Sequence, residues 1–191
     1  MRKPDERKAD SRQRIVEAAG SLFRQHGIDG VGVDAIMHAA GLTHGGFYGH
    51  FASKEALVAE VAADSLARSA ARWERLSQEQ DAADALRGIV AGYLDPAHVA
   101  EVERGCVLTT LGPEVARRPE ARPGLTESIR VMLAALGRCQ PEAPPDHAMA
   151  SLATMVGAVV LARLADDPAL ADGFLRAASE GVLGSAGGKP A

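Results

Sequence analysis

The chain has few cysteines and few aromatic residues, and both shortages narrow the classes of protein to which it could belong. Its only cysteines, among 191 residues, are Cys106 and Cys139, which form no CxxC pair. Two isolated cysteines make neither a disulfide framework nor a zinc finger, so we expect a reducing compartment. Aromatic residues amount to 4%, and the strand-like alternation of Val, Ile and Tyr is missing. These shortages favour an all-α protein.

The sequence also lacks a long uninterrupted apolar run. Its longest apolar stretch, near residues 155–164, is interrupted by Arg163, and the charged N-terminus has no apolar segment typical of a signal peptide. We therefore expect neither export by that route nor a membrane-spanning helix. The expected location is the cytoplasm.

An excess of basic residues is absent as well. The formal net charge is −4, which argues weakly against a general polyanion binder. Residues 1–60 carry eight Lys or Arg and eight Asp or Glu, so the whole deficit lies downstream. The extreme N-terminus is locally basic, and it is either a frayed, solvated end or an arm that touches phosphates. Its basic residues are Arg2, Lys3, Arg7, Lys8, Arg12 and Arg14.

No catalytic or cofactor signature is present. The sequence contains no Ser/His/Asp order, HExxH, GxSxG or Gly-rich phosphate loop. His38, His44 and His50 are spaced by six residues, which separates their side chains around a helix instead of gathering them on a metal ion. We therefore expect no enzyme activity, no metal site and no cofactor.

What the sequence does contain is a series of helical patterns. Apolar residues at helical spacing predict a first helix over residues 9–26, with Gly27 as its stop, and a second over residues 33–40. Thr43 is a candidate cap for a short third helix, on which Phe47 and Phe51 lie one turn apart. Ser53 is a candidate cap for a long fourth helix.

Five further helices follow the fourth. We place them near residues 81–94, 104–117, 122–138, 145–166 and 168–183, with prolines at the breaks, and we expect a flexible tail GSAGGKPA. The fold class is thus all-α with about nine helices. We divide the chain into a three-helix helix-turn-helix domain over residues 1–53 and a helical bundle over residues 54–191.

The stretch AGLTHGGFYGHF at residues 40–51 indicates a function for the first domain. Two short helices joined by a tight Gly-containing turn have the geometry of a helix-turn-helix, whose second helix enters the major groove of DNA. Gly45 and Gly46 would let the backbone approach the duplex. Tyr48 and His50 can donate hydrogen bonds to phosphate oxygens, and Lys54 adds a cation at a helix N-terminus.

The residues from Ile15 to Val58 closely resemble the TetR/AcrR transcriptional regulators. The resemblance lies in an AxxLFxxxG helix, the AGLT turn, GGFYxHF and SKEAL, all within the first third of the chain. It implies an all-α homodimer that binds double-stranded operator DNA, and most members repress transcription until a small molecule binds. It also implies base-edge or phosphate contacts from Thr43, His44, Gly45 and Gly46, and backbone contacts from Tyr48, His50 and Lys54.

Three positions depart from the pattern of that family. Gly32 replaces the usual hydroxyl residue at the start of the second helix and so removes a capping side chain. Gly49 stands where a larger or basic residue is frequent. His44 stands where lysine is common, so that base reading could depend on its protonation.

An effector site is expected in the bundle, because helical bundles bind ligands between facing helices. The candidate lining residues are Trp73, Tyr93, Cys106, Met132 and Met155. Cys106 has two interpretations: a small buried apolar residue, or a reactive thiol that makes the protein a redox or electrophile sensor.

The last two helices carry a broad apolar stripe that suits a dimer interface. The alternative is an ordinary intramolecular core, and the family resemblance favours the interface. The candidate interface residues are Leu152, Val156, Gly157, Val160, Leu164 and Phe174. The sequence thus predicts a homodimeric repressor of a palindromic operator, released by a small molecule; a thiol sensor and an apo-activator are the alternatives.

Overall fold

The computed structural model describes residues 4–184, and all secondary structure in this range is helical. The all-α prediction with about nine helices is confirmed. The α-helices are α1 (Pro4–His26), α2 (Val33–Ala39), α3 (Lys54–Glu79), α4 (Ala82–Tyr93), α5 (Pro96–Ala100), α6 (Val107–Thr110), α7 (Gly112–Ala116), α8 (Arg122–Cys139), α9 (His147–Leu164) and α10 (Pro168–Gly184). Short 3-10 helices cover His44–Gly49, Val102–Arg104 and Pro119–Ala121.

Helix α1 begins earlier than the predicted start near residue 9. Pro4 suits a first helical turn because its φ angle is already helical, and Asp5 and Glu6 in that turn complement the helix dipole. From Pro4 onward the predicted basic arm is therefore part of a helix. Arg2 and Lys3 of that arm, and residues 185–191 of the predicted flexible tail, lie outside the described residues.

Two glycines form the turns of the helix-turn-helix. Gly27 ends α1 with a φ of 74°, and Gly41 follows α2 with a φ of 66°. Both angles lie in the left-handed region that favours glycine at a helix C-terminus. Around Gly41 the Leu42 N–H donates to the Met37 carbonyl at 2.9 Å, which closes the turn between α2 and the next element.

That next element, His44–Gly49, is a 3-10 helix and not the predicted short α-helix. The Gly46 N–H donates to the Thr43 carbonyl at 3.0 Å, and the His50 N–H donates to the Phe47 carbonyl at 2.8 Å. Three of its six residues are glycine, and each disfavours an α-helix by about 1 kcal/mol relative to alanine. Thr43 occupies the N-cap position, but its side chain accepts no capping bond, so that predicted contact is wrong.

The long helix α3 connects the N-terminal helices to the rest of the bundle. Its start is as predicted, since the Ser53 hydroxyl accepts a hydrogen bond from the Ala56 N–H at 3.1 Å. It packs against α1, α4 and α8. At Gly124 of α8, an added Cβ would lie 2.7 Å from the Cβ of Ala63 in α3. Glycine at this position therefore permits the close approach of the two helices.

The predicted helix over residues 104–117 is wrong, because this region is broken into short pieces. Gly105 and Cys106 have extended backbone, with ψ angles of 164° and 132°. A second break lies at Leu111, two residues before Pro113. Proline has no N–H, so Pro113 cannot donate to the carbonyl of Thr109 and continue the preceding helix. Helix α5 was missed, although Asp95 caps it by accepting from the Ala97 N–H at 2.8 Å.

The remaining predicted helices are confirmed, with small shifts at their ends. One of them, α9, is long and apolar enough to cross a membrane by length and composition alone. It instead packs against α8 and α10, and its Arg163 donates to the carbonyls of Val99 and His98 at 3.1 and 2.8 Å. Only 33% of the residues of α9 are buried within the chain, which leaves one face of this helix uncovered.

A single cluster of buried apolar side chains runs through the described residues. It joins the N-terminal helices to the bundle, since Phe23 and Phe47 belong to it together with Leu66, Met132 and Leu136. These side chains are all less than 2% exposed. The segment His44–Gly49 is therefore fixed by burial of its phenylalanine and not by regular helical bonding.

The adjacent residues Phe47 and Tyr48 allow a test of this anchoring. Replacement Phe47→Ala removes a fully buried aromatic side chain, and we expect it to lower the free energy of unfolding by about 3–5 kcal/mol. Replacement Tyr48→Ala removes a side chain that is 68% exposed, so a loss below about 1 kcal/mol is expected. Urea denaturation followed by circular dichroism measures both. Equal losses would contradict the proposed anchoring.

Candidate nucleic-acid interface

The segment from Thr43 to His50 presents its polar residues at the surface and its apolar residue to the core. Tyr48 is 68% exposed, and Thr43, His44 and Gly45 are exposed as well. His50 is half-buried. The structure thus brings these predicted DNA-binding residues together on one short, accessible segment, to which the half-buried Gly46 also belongs.

Two phenylalanines hold this segment from below. The Phe47 ring lies 5.7 Å from that of Phe51 in a stacked arrangement, and both side chains are buried. The Tyr48 ring meets the edge of Phe47 at 5.2 Å, a geometry that favours aromatic pairs. Tyr48 is therefore supported at its base while its outer part remains accessible.

The glycines of the segment are not required by the packing of the chain. An added Cβ at Gly45 or Gly49 would meet nothing within 4 Å, and neither residue has a positive φ. Gly46 is more closely packed, since its added Cβ would lie 3.5 Å from the terminal methyl of Met37. Side chains are thus sterically possible at Gly45 and Gly49, so the packing of the free protein does not require glycine at either position.

Arg12 of α1 ties the segment to the long helix, a role that sequence reasoning missed. Its guanidinium donates to the His50 carbonyl and forms a two-pronged pair with Glu60 of α3, one arm of which measures 2.9 Å from Nε to Oε1. The same group lies 4.1 Å from the centre of the Phe51 ring. Arg12 therefore acts within the fold and is not a free cation of a basic arm. The Arg12-to-Glu60 spacing of 48 residues carries no local signal.

Arg14 is also engaged within the fold. Its guanidinium donates to the carbonyl of Ala40, at the C-terminal end of α2. A cation at that end of a helix bonds the unpaired carbonyls and complements the helix dipole. Two of the six residues in the predicted basic arm thus stabilise the helix-turn-helix from within.

His44 and Lys54 are placed by neighbours of different kinds. The His44 Nδ1 forms an ion pair or hydrogen bond with the Asp34 carboxylate, according to the protonation of the imidazole. Asp34 was not singled out from the sequence, although it lies in the first turn of α2. The Lys54 Nζ lies 6.0 Å from the centre of the Phe23 ring, beside the N-terminus of α3.

His50 has an unusual electrostatic environment. Its Nδ1 atom is buried and has no hydrogen-bond partner among the described residues. Desolvation lowers the pKa of His50, and the nearby charges of Lys8 and Arg12 lower it further. At neutral pH the imidazole is therefore uncharged, and Nε2 is the nitrogen available for a phosphate oxygen.

In the bundle, the structure brings three of the five predicted ligand-binding residues together. Trp73, Tyr93 and Cys106 line one cavity of about 340 Å³. Met132 and Met155 are completely buried and do not line this cavity. Both methionines fill the core, which is the usual role of a methionine at helical spacing.

Cys106 is buried and lies at the start of the four-residue helix α6. Its N–H donates to His98 Nε2 at 3.1 Å, and its carbonyl accepts from the hydroxyls of Thr109 and Thr110 at 2.9 and 3.0 Å. These are backbone contacts that fix the loop before α6. The side chain is 6% exposed and lies beside the Tyr93 hydroxyl at the edge of the cavity.

The predicted interface residues of α9 and α10 fall into two groups. Leu164 is 77% exposed, while Val156, Gly157, Val160 and Phe174 are half-buried. Leu152 is buried within the chain, because it lies on the core-facing row of α9. The stripe predicted from the sequence was therefore too wide, since it combined this inward row with the outward one.

No three His, Cys, Asp or Glu side chains between residues 4 and 184 are grouped in a way that could hold a metal ion.

The sequence of residues 15–61 matches the family model described as "Bacterial regulatory proteins, tetR family". The repressor AcnR of Corynebacterium glutamicum is 32% identical over 81 residues, which cover 42% of this chain and 41% of that protein. The regulator AcrR of Shigella flexneri is 37% identical over 60 residues, which cover 31% of this chain and 28% of that protein. The matched region thus spans less than half of each relative.

Solved structures resemble the chain over a greater length. Reduced NemR from E. coli superposes with a TM-score of 0.78 at 21% identity, covering 92% of this chain and 96% of that one. SCO4454, a TetR-family regulator from Streptomyces coelicolor, superposes with a TM-score of 0.75 at 21% identity, covering 94% and 97%. Both the helix-turn-helix and the bundle therefore have the fold of these regulators.

The lowered pKa of His50 leads to a prediction on pH. Because the folded-state pKa lies below that of the unfolded chain, the folded protein binds this proton less readily. The stabilising effect is present above about pH 6.5 and is lost as the pH falls from there through the folded-state pKa. An NMR titration of the His50 ring should give a pKa below about 6.5.

The substitution Lys8→Gln provides the matched comparison for this titration. It removes the charge of Lys8, which lowers the His50 pKa more than that of Arg12 does, and leaves the burial of His50 unchanged. The His50 pKa should therefore rise towards its ordinary value. A pKa of His50 at or above about 6.5 in the unaltered protein would contradict the assignment.

Proposed function

Because the chain belongs to the TetR/AcrR family of regulators, we propose that it is a DNA-binding transcriptional repressor of the cytoplasm. It acts as a homodimer on a palindromic operator and is released by a small-molecule effector. The observation that carries the proposal is the exposed, glycine-rich segment His44–Gly49, anchored to the core by Phe47. Family and fold are those of regulators and not of enzymes.

The DNA-binding surface is assigned to the segment and its flanks. Gly45 lets the backbone approach the base pairs, since its Cβ position is open to solvent in the free protein. Thr43, His44 and Gly46 lie beside it for contacts with base edges or phosphates. Tyr48, exposed over two thirds of its surface, donates its hydroxyl to a phosphate oxygen.

His50 and Lys54 complete the contacts with the DNA backbone. His50 is held by its own carbonyl, which accepts from Arg12, so its ring position depends on an internal arginine. Lys54 begins α3, where the helix dipole already attracts a phosphate. Bringing a phosphate to His50 would raise its pKa and so strengthen the contact on binding.

The proposed dimer forms through the uncovered face of α9 together with α10. Exposed apolar side chains follow one side of α9 at helical spacing: Met149, Leu161 and Leu164 are 57%, 45% and 77% exposed. On α10, Leu170 is 51% exposed. An apolar face of this kind on a water-soluble helix is typical of an interface between subunits. In the dimer, the two recognition segments would be about 34 Å apart, or a small multiple of that distance.

The proposed release mechanism uses contacts between α1 and the broken region after α4. Arg24 of α1 donates to the Glu103 carbonyl at 3.2 Å, and the Ile28 N–H donates to the Glu114 carboxylate at 2.8 Å. Arg118 pairs with Asp29 in the same region. A ligand that shifts the region of residues 95–118 would thus change the angle of α1 and the spacing of the two recognition segments.

The DNA-contact assignment predicts different effects for Tyr48→Ala and His44→Ala. Loss of a phosphate contact should weaken binding to all sequences, roughly tenfold for Tyr48→Ala. Loss of a base contact should alter preference among operators, by roughly 5- to 100-fold at the affected position for His44→Ala. Operators selected from random duplexes, followed by mobility-shift titration at fixed salt, measure both effects.

The exposed substitution Gln78→Ala, at the far end of α3, is the control and should leave DNA binding unchanged. Undiminished binding by both the Tyr48 and the His44 variants would refute the assigned surface.

The dimer assignment predicts that Leu164→Glu produces a folded monomer. Leu164 is 77% exposed within one chain, so the substitution should leave the helical content intact while it places a charge in the interface. Sedimentation equilibrium should give a dimer dissociation constant at least tenfold lower for the unaltered protein than for the variant. The variant should also lose operator binding. A variant that remains as dimeric as the unaltered protein would rule out this face.

A further inference from the structure

We propose that the cavity beside Trp73 and Tyr93 and the arginine-rich cleft next to it form one ligand site for a small, planar aromatic carboxylate. The inference rests on the proposed effector-controlled function and adds the chemical class of the effector. The aromatic cavity holds the ring, and the cleft holds the carboxylate. Its key features are two unpaired arginines, Arg72 and Arg104, and the buried Tyr93 hydroxyl, which has no oxygen or nitrogen partner.

The aromatic cavity has the size and walls for a ring system. Its volume is about 340 Å³, at the small end of the range for ligand pockets. Trp73 and Tyr93 meet edge to face at 5.5 Å, and both are buried. Leu76 and Ile89 add aliphatic wall. Aromatic edges and faces of this kind pack well against a flat apolar ligand.

The Tyr93 hydroxyl lacks a strong hydrogen-bond partner among the described residues. Tyr93 is 5% exposed, and its buried hydroxyl lies beside the Cys106 thiol, a weak hydrogen-bonding group, with no oxygen or nitrogen partner. Buried hydroxyl groups in native proteins are nearly always hydrogen-bonded. Because Tyr93 lines the cavity, an acceptor on a bound ligand would satisfy it.

His98 shapes the cavity but is not free to bind a ligand. Its ring lies 4.9 Å from that of Tyr93. Its Nε2 accepts from the Cys106 N–H at 3.1 Å, which leaves Nδ1 to donate to the Tyr93 carbonyl at 2.6 Å. The imidazole is thus a neutral ring with both nitrogens occupied, and the positive charge of the site must come from other residues.

The adjoining cleft supplies that charge. It has a volume of about 680 Å³ and shares Ser69, Arg72 and Arg104 with the aromatic cavity. Its charged lining residues are four arginines and two glutamates: Arg24, Arg68, Arg72, Arg104, Glu17 and Glu103. Within the cleft the arginines exceed the glutamates by two, whereas the aromatic cavity contributes the carboxylates of Asp95 and Glu101. Such a cleft attracts an anion.

Two of these arginines are already engaged. Arg68 pairs with Asp64, and Arg24 donates to the Ser65 hydroxyl at 2.6 Å and to the Gly20 carbonyl at 2.7 Å. Burial lowers the pKa of Arg24, and the neighbouring charge of Arg68 lowers it further. The positive charges of the cleft therefore repel each other, and a bound anion would relieve that repulsion.

Arg72 and Arg104 are available for the anion. In the part of the chain that the structure describes, neither makes an ion pair or a side-chain hydrogen bond. The Arg72 guanidinium packs against Gly92 of α4, where an added Cβ would lie 3.1 Å from it. It thus lies at the junction between cavity and cleft. Two guanidinium groups offer forked donors, which match the geometry of a carboxylate.

The location of the site connects it to the DNA-binding helices. One wall of the cleft is α1, through Glu17, Ser21 and Arg24, and the opposite wall includes the segment Glu103–Gly105. The Arg24 guanidinium bridges the two walls through the Glu103 carbonyl. A carboxylate drawn to Arg104 would therefore act on the contact that joins the recognition domain to the ligand cavity.

The test is isothermal titration of the full-length protein with three aromatic carboxylates and their uncharged amides. The acids are benzoate, cinnamate and naphthalene-2-carboxylate, which differ in size but share the proposed chemistry. At least one acid should bind with a Kd below about 1 mM and at least tenfold more tightly than its amide. Trp73, the only tryptophan, reports occupancy of the cavity independently by its fluorescence.

Two variants separate the roles of the cleft and the cavity. The double substitution Arg72→Ala/Arg104→Ala should weaken the binding of the acid roughly tenfold and leave that of the amide nearly unchanged. Tyr93→Phe should weaken both roughly threefold to tenfold, without loss of folding stability, because it removes a hydroxyl that has no oxygen or nitrogen partner. Arg176→Ala, exposed on α10, is the control and should bind as the unaltered protein does.

The outcomes distinguish this inference from the proposed function. Absence of binding by all three acids, equal binding of acids and amides, or unchanged binding by the double variant would overturn the carboxylate site, even if operator binding were intact. If an acid binds as predicted but leaves a mobility-shift complex with operator DNA undisturbed, the site stands and the proposed effector release fails. If the acid releases DNA from the unaltered protein but not from the double variant, the result supports both the carboxylate site and the proposed effector release.

Discussion

Burial of Phe47 is the constraint on which the rest of the N-terminal structure depends. A segment that contains three glycines in six residues has little intrinsic tendency to form a helix. Its phenylalanine is nevertheless completely buried, stacked on Phe51 and joined to the core that includes Phe23. This burial supplies the order that the backbone bonds of a short 3-10 helix cannot. The residues on the outer side of the segment are then not needed for its anchoring and remain accessible to another molecule.

The arginines of α1 extend the same principle from packing to electrostatics. Arg12 joins the His50 carbonyl to Glu60 of α3, and Arg14 donates to the Ala40 carbonyl at the end of α2. Both residues belong to a stretch whose basic character suggests contact with phosphate. They instead make contacts within the chain: Arg12 orients the recognition segment relative to α3, and Arg14 holds the C-terminal end of α2.

The bundle differs from the N-terminal helices in that its central region is irregular. Between α4 and α8 the chain forms short helices interrupted near Gly105 and Leu111. Irregular backbone leaves room between α3, α4 and the loop before α6, and this room is the aromatic cavity lined by Trp73 and Tyr93. The same region touches α1 through Glu103 and Glu114. The proposed ligand site and its connection to the N-terminal helices therefore both lie at one break in helical order.

Local signals in the sequence determined the helices with strong caps and periodicity, the left-handed glycine turns at Gly27 and Gly41, and the helix-turn-helix itself. These features depend on residues within a few positions of each other, so they can be read along the chain. Tertiary structure alone decided that Arg12 reaches Glu60, that Asp34 meets His44, and that Leu152 faces inward while Leu164 faces outward. It also decided that Met132 fills the core while Tyr93 lines a cavity. Each of these depends on side chains far apart in sequence, whose proximity is set only when the helices pack.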